Sequence, residues 1–240
     1  MMMRLSTVLN VRKLRIRNRI FTLGVIITGM LSLAFAVVTF YGQNAGNFLM
    51  SVDQASRLRG IGLTTEEDSS VTESRLMSDP IKEARDITYT WLKLDEIDAT
   101  DGNFVDVDHE YVAFTFYLKN SGSETVDISY YIRLTEIYNN LDLGIRVLVI
   151  QDGEQSMYMK EDIVAPGTEP PYYPEAMPTA QFFLTERMVM RNTVTNLKPG
   201  DYVKFSVVVW LEGYDPDTTN DILGGMIKME MNFTIDDDQS

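Results

Sequence analysis

The sequence predicts an all-β fold, a two-sheet antiparallel sandwich of jelly-roll type, preceded by one N-terminal transmembrane helix. Three observations carry this. Several segments alternate apolar and polar side chains with period two. A charge-free apolar run, Ile20 to Tyr41, lies close to the N-terminus. Turn-forming clusters such as Asn120-Ser121-Gly122-Ser123, Asp152-Gly153 and Lys198-Pro199-Gly200-Asp201 separate the alternating segments.

The N-terminal part divides by charge. Arg4, Arg12, Lys13, Arg15, Arg17 and Arg19 are the only basic residues before position 50, and the first acid is Asp53. Residues 1–19 therefore read as a basic cytoplasmic tail and residues 20–41 as a signal-anchor helix. At about 1.5 Å per residue this helix spans ~33 Å, enough for a bilayer core. Phe40 and Tyr41 sit where aromatic side chains favour the far interface, and Arg12, Lys13, Arg15, Arg17 and Arg19 face anionic lipid head groups. The basic side stays inside, so residues 42–240 are expected outside the cell membrane. A cleaved signal peptide is the competing reading, since Ala34-Phe35-Ala36 resembles a cleavage site. Cleavage would leave Val37–Tyr41 as a sticky new terminus, which favours the retained anchor. Both readings export residues 42–240.

Those residues read as one β-sandwich domain. In Thr125–Glu136, Val126, Ile128, Tyr130, Ile132 and Leu134 share a face; in Met226–Ile235, Ile227, Met229, Met231, Phe233 and Ile235 do. In Asp201–Leu211, Val203, Phe205, Val207, Val209 and Leu211 share one face, while Val208 and Trp210 on the other imply that something covers it. Tyr111–Lys119 is apolar on both faces and reads as a central strand. Phe48–Val52, Ile87–Leu94, Leu143–Ile150 and Gln155–Lys160 add further strands. Single helical turns are expected at Asn140–Leu143 and Asn220–Leu223, and at most a short helix in Glu73–Arg85. Residues 53–80, rich in Ser, Thr, Glu and Asp, read as a mobile excursion on the stalk side. Residues 165–180 hold five of the eight prolines and read as a semi-rigid surface loop.

Composition narrows the function. The chain has no cysteine and one histidine, His109, which removes thiol chemistry and every Cys- or multi-His metal site. HExxH, GxSxG, P-loop and GxGxxG motifs are absent. From Asp53 onward all 35 acids face the remaining 15 bases, a net charge of −20 that repels nucleic acid. The expectation is a protein that is not an enzyme, although two carboxylates meeting in space would permit a surface hydrolase.

One acidic loop stands out. In Trp210–Gly225, Asp215, Asp217, Thr219 and Asp221 fall at every second position, the spacing of the first ligands of an EF-type loop, and calcium is the ion this oxygen set would take. The match ends there: Asn220 replaces the turn glycine and Met226 the bidentate glutamate. The competing reading is a loop whose Asp and Asn side chains cap their own backbone. A second acidic stretch, Leu94–Glu110, reads as a solvated face, with His109 a surface residue. Trp210, Tyr131, Tyr172 and Tyr173 are candidate partner contacts, unless the proline-rich loop buries them. The methionines of the strands read as ordinary core.

Tyr111–Lys119 with Asn120-Ser121-Gly122, the Gly144-Ile145-Arg146-Val147 strand and Leu197–Gly213 resemble the TasA/camelysin-like jelly-roll surface proteins of Gram-positive bacteria. The resemblance implies an export signal or anchor followed by a jelly roll. In fibre-forming relatives an N-terminal strand is donated to the next subunit, and Phe48–Val52 stands where that strand would be; an uncleaved anchor would tether it. The metalloprotease activity attributed to camelysin finds no zinc motif here. The sequence thus points to a membrane-anchored surface protein with a binding or structural role toward a matrix, a fibre, a protein partner or copies of itself. A calcium-stabilised module and an accessory subunit of a membrane complex are the alternatives.

Overall fold

The computed structural model describes residues 19–36, 46–163 and 173–237. The chain divides into two units, residues 1–45 and 46–240. In the first, Arg19–Ala36 forms a helix, α1, long and apolar enough by length and composition to cross a membrane. The expected interfacial residues Phe40 and Tyr41, and Arg12, Lys13, Arg15 and Arg17, lie outside the described residues.

The second unit is β-rich. Its strands are β1 (Phe48–Val52), β2 (Ile61–Thr64), β3 (Arg75–Met77), β4 (Asp86–Ile87), β5 (Gly102–Asn103), β6 (Val112–Asn120), β7 (Val126–Tyr138), β8 (Ile145–Gln151), β9 (Glu154–Met159), β10 (Ala180–Phe182), β11 (Met188–Leu197), β12 (Tyr202–Glu212) and β13 (Met226–Ile235). Three short helices interrupt them: α2 (Gln54–Leu58), α3 (Leu94–Asp98) and α4 (Leu141–Gly144). One sheet has the order β11-β7-β13-β1-β3. The other has β10-β9-β8-β12-β6-β2, with β4 on the end of β12 and β5 on β6.

The sheets pack face to face. Side chains that alternate inward on β1, β7 and β13 meet those of β6, β8 and β12 in one apolar core. At its centre Phe116 and Phe205 from one sheet touch Tyr130 and Phe233 from the other, with ring centroids 5.2–6.0 Å apart. The alternation expected for β7 and β13 is observed residue for residue. The sheets are mixed, however, and not purely antiparallel: β1 runs parallel to β13, β10 to β9 and β4 to β12. Period-two patterning fixes which face a strand buries but is blind to the direction of its neighbour.

Three other expectations change. Ile87–Leu94 is a strand only at Asp86–Ile87; Tyr89–Trp91 is a 3-10 turn. Residues 53–80, expected as a mobile excursion, carry regular elements packed into the domain: Asp53 caps α2, and β2 and β3 follow and pair with β6 and β1. Glu73–Arg85 holds β3 and no helix. The outer face of the second sheet has a cover of its own. There Val208, Trp210, Leu148 and Ile150 pack against Ile87, Leu92, Ile97 and Tyr111 in a separate apolar layer. The segment from β4 through α3 to β5 supplies this cover, which answers the prediction made from Val208 and Trp210.

Strand directions define two ends of the domain. The starts of β1, β6, β8 and β13 and the ends of β7, β9 and β12 lie at one end, here called proximal, because the chain enters the domain there at Gly46.

Candidate functional site

Arg146 sits on β8 between two residues of the inner core, Ile145 and Val147, so period two turns it to the outer face of the second sheet, beside Trp210 on β12. It is fully buried at the proximal end. A buried guanidinium needs a partner, and Asp215 supplies it: Arg146 Nη1 lies 2.5 Å from Asp215 Oδ2. Arg146 Nη2 donates to the Tyr173 hydroxyl at 3.1 Å, and the guanidinium carbon lies 5.7 Å from the Tyr173 ring centroid. Nη1 also donates to the Ile145 carbonyl, while Nε has no partner.

The loop that brings Asp215 here is held from within. Buried Glu212 accepts from Trp210 Nε1 at 2.9 Å and from the Tyr214 N–H at 3.2 Å. Asp215 Oδ1 accepts from the Asp217 N–H at 2.7 Å, and Asp217 Oδ2 from the Ile163 N–H at 2.7 Å. The Thr218 hydroxyl donates to the Glu212 carbonyl and lies against Gly144, where a Cβ would run into it. Any larger residue at 144 would push this loop away from Arg146.

Carboxylate oxygens of Asp162, Asp215 and Asp217 lie within 4.8 Å of one another. Burial raises the Asp162 pKa above its ordinary value, with the neighbouring Asp215 charge adding to this and Arg146 opposing it. Asp162 Oδ1 is buried without a hydrogen-bond partner. The predicted ligand set is thus only half assembled. Asp215 and Asp217 come together, and Asp162, from a separate strand end, joins them. Thr219 caps the 3-10 turn Asn220–Ile222 by accepting from the Asp221 N–H, and Asp221 is exposed. The self-capping expected of this loop is therefore real. Its main cationic neighbour is Arg146, a residue that the spacing of the loop could not reveal. The signal available was an arginine inside the otherwise apolar run LGIRVLVI.

Beside Arg146 a groove of about 560 Å³ runs along β9 and β10, walled by Met157, Met159, Met177 and Phe182, with Asp162 and Tyr173 at its polar end. Of the expected contact aromatics, Tyr173 lies here and Tyr172 is outside the described residues. Trp210 is buried: Tyr89, 6.4 Å away between ring centroids, covers it, and it is no contact surface. Tyr131 is half-buried on the outer face of the first sheet, with Arg191 over its ring.

The second acidic stretch is likewise not a simple solvated face. The Asp106 side chain is buried and takes Lys93 Nζ at 2.8 Å, the Asp108 N–H at 2.9 Å and the Tyr111 hydroxyl at 3.1 Å. Burial works against its ionisation, but these three donors outweigh burial and hold its pKa below the usual carboxylate range. His109 stacks on Trp91, ring centroids 5.0 Å apart.

No family model, no curated protein and no solved structure matches this chain.

Proposed function

We propose that the chain is a membrane-anchored surface protein whose β-sandwich binds a partner or matrix component without catalysis. The observation that carries this reading is the contrast at the Arg146 site. The buried charges are tied to one another and to backbone, as in a structural clamp. What is left open among the described residues is an apolar groove along β10, a three-residue strand that pairs only with β9 among them, with Phe182 and Leu184 exposed beside it. An uncovered strand and a Met-rich wall suit recognition of a protein or polymer segment. The basic leader and acidic domain support an inside N-terminus and an outside C-terminal domain.

The jelly-roll reading is supported by strand order. The path β11-β7-β13-β1 faces β9-β8-β12-β6, and the chain changes sheet between β6 and β7, β7 and β8, β11 and β12, and β12 and β13. The parallel β1–β13 pair departs from that pattern. On this reading the chain is a retained relative of the TasA/camelysin-like surface proteins.

Gentle detergent extraction of full-length protein and of a Phe182→Asp variant, each followed by mass spectrometry of what co-purifies, tests the proposal. A companion retained by the first and lost by the second is the expected result; equal recovery would remove β10 as the binding edge. This experiment also identifies an accessory subunit of a larger complex.

The unpartnered Asp162 oxygen favours a second reading, a calcium-stabilised module. Three carboxylates fit a hard cation in type, but calcium takes six to eight oxygens and Arg146 already lies on Asp215. A rise in melting temperature in millimolar calcium would support this reading; an unchanged value would remove it.

A further inference from the structure

The exposed apolar side chains of the domain are not spread evenly. Tyr138 ends β7, Met226 starts β13 directly opposite it, and Leu223 lies in the adjoining loop, where its carbonyl accepts from Asn139. These three are 55%, 37% and 70% exposed. Across the same end, the loop from β5 to β6 holds out Val105 and Val107, and the loop after β12 holds out Tyr214. Val107, at 89%, is the most exposed large apolar residue of the domain among those described. All six belong to loops or strand tips of the proximal end, the end at which Gly46 leads into β1. The distal end has only scattered examples, such as Leu58 and Tyr202.

Exposed valine and leucine at loop tips, with tyrosine nearby, match the chemistry of a lipid head-group boundary, where apolar tips enter the acyl edge and phenol rings stay wet. The chain leading to this end is short enough to keep that partner near. Residues 37–45 join α1 to Gly46, and at no more than ~3.5 Å per residue they reach about 35 Å. If α1 crosses a bilayer, the surface of that bilayer is within reach of the proximal loops. We infer that the proximal loops form a lipid-facing rim that seats the domain on the outer leaflet. The inference rests on the anchor reading above.

The charges at this end refine the lipid class. Asp79, Glu83, Asp86, Asp108, Glu110 and Asp221 are exposed there, against Lys82 and Arg85. The rim therefore suits zwitterionic head groups and is repelled by anionic ones. Seating in this way leaves the distal loops facing outward, while Phe182, opposite Met159 at the end of β9, lies at the seated end.

The absence of cysteine makes a clean test possible. Single variants Leu223→Cys, Val107→Cys, Leu58→Cys and Leu31→Cys of the full chain carry an environment-sensitive fluorophore in phosphatidylcholine vesicles containing spin-labelled lipid. The rim labels at 223 and 107 should be blue-shifted and quenched at least twofold more than the distal label at 58, and replacing half the lipid by phosphatidylserine should reduce that quenching. The label at 31 reports the anchor independently. A quenched label 31 with water-like labels 223 and 107 would overturn the rim while leaving the anchor intact. Labels 223 and 107 that are shielded but unquenched would assign the rim to a protein contact instead and also overturn the inference. A water-like label 31 would remove the anchor reading itself.

Discussion

The two sheets bury their inner faces alike, but their outer faces meet different surroundings. On the first sheet Lys228, Glu230 and Asn232 of β13 stand half-buried, Thr234 is exposed, and Arg133 of β7 reaches across to Glu230. On the second sheet Trp210, Leu148, Val208 and Arg146 are almost wholly removed from water. The difference lies in the segment from β4 to β5, which roofs the second sheet and has no counterpart on the first among the described residues. A sheet open on one side can use solvent to satisfy its outward polar groups. Beneath a roof buried polar groups need internal partners, and Arg146, Glu212 and Asp106 each have them, although Arg146 Nε is left without one.

The roof is tested most severely by Trp210→Ala. The substitution empties the outer layer and strips Glu212 of its indole donor, so a loss of about 3 kcal/mol is expected in thermal unfolding of the full chain in detergent. A loss below about 1 kcal/mol would mean that the roof is a loose cover. Asp215→Asn should cost about 2–3 kcal/mol, because it leaves Arg146 buried against a neutral group; a neutral outcome would show that Asp162 and Asp217 compensate fully.

Asp162→Asn should act in the opposite direction. The folded pKa of Asp162 is raised, so the folded state favours its proton, and wild-type stability falls as pH rises through that folded value. Asparagine removes the repulsion with Asp215, so the variant should be slightly more stable at pH 7, by less than about 1 kcal/mol, and indistinguishable from wild type at pH 3. Lower stability at pH 7 would show that the Asp162 charge is needed, as a bound cation would require. A similarly small effect is expected on the open sheet. Glu230→Gln breaks a partly exposed pair with Arg133, half-exposed on the arginine side, and should shift stability by no more than about 1 kcal/mol, and less at high salt.

The same contrast explains what could be read from the sequence. On β7 and β13 water lies on one side, so polar and apolar residues alternate and both strands were legible to within two residues. Val208 and Trp210 announced a roof because two apolar faces on one strand cannot both face water. The roof itself was not legible, since β4, the 3-10 turn and α3 are short and take their shape from the sheet beneath. β11 escaped notice because its outward Arg191, Asn192 and Thr195 and its register shifts blur the period. At the candidate site the loop Asp215–Asp221 was conspicuous, but its partners Arg146 and Asp162 lie tens of residues away in sequence. Spacing within a loop carries no information about them. The parallel pairing of β1 was hidden for a related reason: strand direction is decided by chain connections, not by side-chain pattern.

The proposed function requires that α1 cross a membrane and that the domain be displayed outside it. Thiol labelling of the purified chain after treating intact cells with a membrane-impermeant maleimide examines this most directly, because the introduced cysteine is the one thiol this sequence then offers. Cysteine in place of Leu58, at the distal end, should label fully without permeabilisation, and cysteine in place of Ser6 should label only after it. The reverse pattern would contradict the proposed orientation.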